Sequence, residues 1–268
     1  MITRRGTLTL MATAALPRIA FAALPEPPVL ADAVAAGDLP AIADRLPKNP
    51  RIIDLPALGR TLGQYGGRAR MLVGGQRDIR LMPIYSYARL VGYDQQLNLV
   101  PDILADFTVE EGRIYTFTLR EGHRWSDGAP FTTEDFRYVW DDLINNPDIY
   151  RGGPPVDLKA GGLFPRFEVL DALTLRYIWD HPAPNFLPVL ASPAPLLLAL
   201  PAHYMRQFHA RYAPEASLAE LCKQYRVDDW QSLHTKMGRQ NRPENPDLPT
   251  LEAWRPRTSP PAEQFVFE

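Results

Sequence analysis

The run from Tyr115 to Phe136 leaves this chain few folds to choose from. Tyr115, Phe117 and Leu119 alternate with Thr116 and Thr118, the period of two that half-buries a strand. The strand ends at Arg120 and turns at Gly122, and Trp125 then offers a large apolar ring to the core beneath. Asp127-Gly128 reads as an Asx-type turn, in which the carboxylate accepts from a backbone amide and the glycine takes a positive φ. Pro130 and Phe131 carry the chain to Thr132, an N-cap for a helix with Glu134 and Asp135 in its first turn, where the dipole favours acids. Phe136, Val139, Trp140 and Leu143 recur at i, i+3, i+4 and i+7 and give that helix one apolar stripe. The spacing predicts a strand–turn–helix joint closed over Trp125, with an architectural role.

Two hairpins flank the joint. Phe107–Val109 leads through Glu110-Glu111-Gly112 into Ile114–Arg120, and Phe167–Val169 pairs with Leu175–Trp179 across Asp171-Ala172. Short connections make both antiparallel. Ala69–Val73, between glycine pairs, predicts an opening strand. Leu196–Leu200, between Pro195 and Pro201, predicts a buried strand, and Gln264–Glu268 a last one. Helices are expected from Pro201 with Tyr204 and Phe208 inward, from Ser217 to Tyr225, and around Trp230, Leu233 and Met237. From Ala23 to about Arg60 the chain is punctuated by proline, with short helical patterns at Asp32–Ala36 and Ile42–Leu46. The 28 prolines, about twice the usual share, demand many extended connections and turns. The mixture is α/β with an antiparallel insertion.

Arg4-Arg5 precede a mild apolar run, Leu8–Leu16, and Ala20-Phe21-Ala22 is an A-x-A cleavage pattern. Residues 1–22 thus read as an export signal of the twin-arginine kind, pointing to the periplasm. The run is far shorter than the roughly 20 residues that span a bilayer. The net charge of −2 becomes about −5 without the signal, and no basic face is present, so nucleic acid is not an expected partner. The single cysteine, Cys222, lies on an apolar helical stripe with Leu218, Leu221 and Tyr225, where a packed thiol is expected.

The pattern Y-x-F-x-L-R-x-G-x-x-W-x-D-G-x-P-F-x-x-x-D-F is matched from Tyr115 to Phe136 at every fixed position, including Trp125, Asp127, Gly128, Pro130, Phe131, Asp135 and Phe136. It resembles the signature of the family 5 extracellular solute-binding proteins, the oligopeptide-, dipeptide- and nickel-binding type. Gln64-Tyr65-Gly66-Gly67, Leu99–Ala105, His181–Leu187 and Pro201–Tyr204 are similar to further family stretches. The resemblance implies a periplasmic-binding-protein type II fold of two α/β lobes, the first carrying an inserted antiparallel α+β subdomain. Such proteins run to about twice this length, so the expectation is a truncated chain: leader 23–63, partial first lobe 64–268 with its subdomain at roughly 93–200, and the second lobe missing.

The family role that the resemblance implies is capture of a small solute, mostly a peptide, in an interlobe cleft by a monomer. The solute then passes to an ABC permease and ATPase at the inner membrane, without cofactor or metal. Peptide-binding members grip the ligand main chain through strand-like hydrogen bonds. Family ligand contacts after the first strand point to Gln76, Arg77, Tyr85, Ser86 and Tyr87, with the tyrosines able to stack on a ligand and Arg77 to meet a carboxylate. The alternative for these five is a surface loop whose tyrosines pack on the subdomain.

Two other roles compete. An exported hydrolase needs a catalytic constellation, but Asp141-Asp142 and Glu110-Glu111 are neighbours that point apart or sit in a turn, and read as solvated surface. His123, His181, His203, His209 and His234 form no HExxH pattern, and no G-x-S-x-G elbow or phosphate loop is present. A fragment with only a structural or interaction role is the other competitor. The reading is a binding protein and not an enzyme.

Overall fold

A computed structural model describes residues 24–268, so the expected export signal lies outside the described residues. Short strands β1 (Val91–Tyr93) and β2 (Leu99–Pro101) pair antiparallel. They lead into a four-stranded antiparallel sheet of β3 (Leu104–Glu110), β4 (Ile114–Leu119), β5 (Arg166–Val169) and β6 (Thr174–Ile178), in the order β3-β4-β6-β5. Both expected hairpins are present, and alternation decides their faces. Tyr115, Phe117, Leu119, Leu175 and Tyr177 turn into the core, while the threonines between them face outward. Phe117 pairs with Phe107 on one side and Leu175 on the other. Trp179 and Phe186 complete the aromatic cluster, their rings 4.7 Å apart.

Helices cover this face. Thr132 accepts from the amide of Glu134 and caps α4 (Thr133–Arg137); α1 (Ala31–Ala35), α2 (Ile42–Arg45) and α3 (Met82–Ser86) precede it in the chain. Beyond Arg137 the helix widens into a π-helical stretch, Tyr138–Ile144. The expected stripe is buried at Phe136, Val139 and Leu143, but the wider turn also brings Tyr138, Asp142 and Ile144 inward. Next come α5 (Phe186–Leu190), α6 (Ala202–Met205) with a 3₁₀ turn to Phe208, α7 (Glu215–Tyr225) and α8 (Trp230–Met237). Cys222 is buried with Leu218 on α7.

Four expectations need correction. Ala69–Val73 is not a strand: no described segment offers it an edge, and Met71, Leu72 and Val73 are exposed. A strand requires a hydrogen-bonded neighbour, which local pattern cannot supply. Leu196–Leu200 is partly buried but belongs to no sheet, for the same reason. Gln264–Glu268 makes a single bridge, Phe267 with Pro256, folding back on its own chain. Asp142 is not solvated surface. Its side chain is 1% exposed, held by Arg211 at 2.7 Å, Arg137 at 3.2 Å and the Tyr212 hydroxyl at 2.6 Å. Burial pushes this carboxyl up, but those hydrogen bonds and the Arg137 charge hold it below the usual range.

The fold is thus mixed α/β, with every described strand pair antiparallel. The leader touches the joint: Lys48 donates its amide to Glu121, and Arg120 donates to the Asn49 carbonyl at 2.7 Å. No helix among the described residues is long and apolar enough to cross a membrane.

Candidate functional site

Around Trp125 the chain closes as a hydrogen-bonded knot. The indole is 2% exposed, and its Nε1 donates to Asp135 Oδ2 at 3.1 Å. The same carboxylate accepts from the amides of Thr132 and Ala202, both at 3.0 Å, so one side chain ties the turn, the helix start and α6. Burial raises the Asp135 pKa against these bonds. Asp127 Oδ1 accepts from the Ala129 amide at 3.0 Å, its Oδ2 lies 2.7 Å from His203 Nε2, and Gly128 sits at φ +89°. Phe131 stands edge-on to the indole at 5.4 Å and packs beside Phe136. Pro130 bridges back to Arg124. We expect Gly128→Ala to cost about 1–2 kcal/mol, since a Cβ in the left-handed region strains the backbone. The space beside it is open, so an unchanged urea midpoint means the turn relaxes elsewhere.

The five candidate ligand residues lie along a 3₁₀ turn, Gln76–Leu81, and the α3 helix that continues it, with Tyr87 at the helix end. They do not converge on one point. Gln76 opens the turn, and its carboxamide takes both backbone groups of Ala262: Nε2 donates to the carbonyl at 2.7 Å, and Oε1 accepts from the amide at 3.0 Å. Arg77 and Tyr85 stand exposed. Ser86 donates to Met82 O at 3.2 Å and to the Glu252 carboxylate. Tyr87 ends α3 at φ +46° and donates its hydroxyl to Ala191 O at 2.5 Å.

Sequence reasoning missed the charged pair that braces this segment. Arg89 is 2% exposed, and its guanidinium donates to the carbonyls of Ser192, Ala88, Pro83 and Pro193 and to Glu252 at 3.3 Å. The cation also lies 5.0 Å from the centre of the Tyr87 ring. Burial raises the Glu252 pKa, while Ser86 and Arg89 pull the other way. Every guanidinium donor is thus committed within the protein, so Arg89 positions α3 and does not offer itself to a ligand. An arginine inside Ala88-Arg89-Leu90-Val91 was the one signal for it.

A cavity of about 760 Å³ opens between α3, Leu196–Leu200 and α8. None of the five candidate residues lines it. Its walls mix apolar Ile84, Leu190 and Leu197 with charged Arg80 and Arg239, and the buried Arg89 meets the half-buried Glu252 there. Among the described residues no cluster of side chains could hold a metal ion.

Comparison with known proteins fits this geometry. A sequence model of the bacterial extracellular solute-binding proteins, family 5 middle, matches residues 98–237, the sheet, the joint and the helices over it. The periplasmic alpha-galactoside-binding protein of Rhizobium meliloti is 23% identical over 67% of this chain and 28% of its own length. The periplasmic murein peptide-binding protein MppA of Escherichia coli is 30% identical over 38% of this chain and 21% of its own. A solved oligopeptide-binding protein OppA superposes with a TM-score of 0.77 at 31% identity, covering 90% of this chain and 37% of that one. MelB of Agrobacterium fabrum, solved with stachyose, shares the fold at a TM-score of 0.60 and 20% identity, over 87% of this chain and 36% of its own. The chain thus spans about a quarter of the length of these curated relatives. With more than half of its residues under the family's own sequence pattern and its signature folded around Trp125, the chain belongs to the family 5 bacterial extracellular solute-binding proteins.

Proposed function

We propose that this chain forms one wall of the ligand cleft in the periplasmic solute-binding component of an ABC importer, taking up peptides and passing them to a membrane permease and its ATPase. The observation that carries the reading is Gln76. Its carboxamide already engages the N–H and the C=O of one residue, as a paired residue on a neighbouring strand does. Arg77 beside it supplies a cation for a peptide carboxylate, and exposed Tyr85 an apolar face for a side chain. The likeness to OppA and MppA supports a peptide as the ligand. Export through the twin-arginine-type signal at residues 1–22 and action as a monomer belong to the same reading. The relatives are binding proteins, and capture without cleavage is the activity proposed here.

The described residues span 37% of the solved OppA and 36% of the solved MelB, and so supply only part of the contacts of such a cleft. Calorimetric titration with di- to pentapeptides should therefore show weak binding, a Kd on the order of 1 mM, with the peptides recovered intact. Nanomolar affinity contradicts the one-wall view, and cleaved peptide contradicts a binding role. The alpha-galactoside-binding relative favours a second reading, an oligosaccharide stacked on Tyr85. Heat with an alpha-galactoside and none with peptides decides for it.

A further inference from the structure

We propose that residues 258–265 are a strap that occupies Gln76 in the absence of ligand and is displaced when an extended peptide main chain takes the same carboxamide. The inference rests on the peptide reading of the Gln76 wall. Residues 255–268 form a two-legged loop. Its legs are joined by paired backbone bonds between Arg255 and Glu268, at 2.9 and 3.0 Å, and by Arg257 donating to Val266 O at 2.8 Å. Thr258 closes the top of the legs, its hydroxyl accepting from the Val266 amide at 3.0 Å and donating to Gln264 O at 3.3 Å. The Arg257–Glu268 ion pair at 2.6 Å adds to that base.

The apex is held quite differently. Among the described residues, the hydrogen bonds from 259–263 to the body of the protein are the two between Ala262 and Gln76. Pro260 and Pro261 bring no N–H, so Ala262 is the apex residue placed to donate and accept at once. A firm base with an apex on one exchangeable pair is the construction of a swinging element. The pair it uses is the one an incoming strand-like peptide needs, so ligand and strap compete for a single carboxamide.

The test follows backbone amide exchange by NMR in the full chain, with tetra-alanine as the probe at up to tens of millimolar. We expect exchange at the Ala262 amide to rise at least about tenfold on saturation, while the Val266 and Glu268 amides stay protected. Gln76→Ala should give the fast Ala262 exchange without any peptide. Ala262→Pro removes the strap's donor and leaves Gln76 in place, so tetra-alanine should bind about three- to tenfold tighter to it. Val266 and Glu268 protection reports that the variant still folds there. If tetra-alanine moves the Gln76 side-chain resonances while Ala262 stays protected, or if Ala262→Pro binds no tighter, the strap is overturned and the peptide site stands. If Gln76 responds in neither chain, the peptide reading falls, and displacement of the strap falls with it.

Discussion

Replacing Trp125 with alanine will remove roughly 3–5 kcal/mol of folding stability, the largest loss we expect from any single change in this chain. The ring is 2% exposed, so its removal leaves a cavity bounded by Phe131 and the turn, which cannot collapse without breaking the Asp127-Gly128 geometry. It also strips one donor from Asp135, a carboxylate 3% exposed that retains only the amides of Thr132 and Ala202. Domains carry about 5–15 kcal/mol in all, so the variant should fold poorly and melt without cooperativity. Trp125→Phe separates the two causes. It keeps most of the apolar ring and loses the Nε1 donor, so its cost should stay near 1–2 kcal/mol. Urea unfolding followed by circular dichroism checks both, and a Trp125→Ala chain with a wild-type midpoint would show that the joint is dispensable.

The parts of the fold legible in the sequence are those that local chemistry decides. Period-two alternation set the faces of β4 and β6, and Thr132, Asp127 and Gly128 act on backbone groups within three residues of themselves. What stayed hidden depends on distant partners. Ala69–Val73 has the composition of a strand, but composition cannot provide the neighbouring edge that makes one. Asp142 looked like surface because its sequence neighbours suggested nothing else; Arg211 and Tyr212, which make it a buried acid, arrive from 69 and 70 residues away. The π-helical stretch at Tyr138–Ile144 turned extra residues inward that a helix of ordinary pitch keeps out. The candidate wall was reachable only through family resemblance. Arg89 and Glu252, which brace it, lie 163 residues apart, and Gln76 and Ala262 lie 186 apart.

Acid should loosen the layer of helices that covers the sheet, beginning well above the range where carboxylates titrate. His234 is buried with its Nε2 2.7 Å from the Tyr138 hydroxyl, and burial pushes its pKa down to about 3 with the neighbouring His209 adding to the effect. His209, its ring 5.6 Å from that of His234, is likewise lowered by burial, although its bond to the Asp142 carbonyl resists the shift. It accepts from the Arg211 amide at Nδ1 and bonds the Asp142 carbonyl at Nε2, so protonation at Nδ1 breaks the first contact. The groups facing the pair are Tyr138, Asp142 and Tyr212, with Arg137, Arg206 and Arg211 outside them.

The sign follows from proton counting. Above pH 6.5 both the folded and the unfolded histidines are neutral, and stability is complete. As pH falls from about 6.5 toward 3 the unfolded chain takes up the proton and the folded His234 does not, so stability drops by about 1.4 kcal/mol per pH unit for that residue. By pH 5 the loss should be about 2 kcal/mol from His234, with His209 adding in the same direction. Asp135 and Glu252, raised by burial, gain stability as pH falls through their folded values and oppose the trend. Asp142, held low, loses its contribution only in stronger acid. His234→Gln keeps a partner for Tyr138 without a titrating ring, so its urea midpoint should fall less steeply than wild type between pH 7 and 5. Parallel pH profiles for the two chains would mean that this imidazole is not what couples the helices to acid.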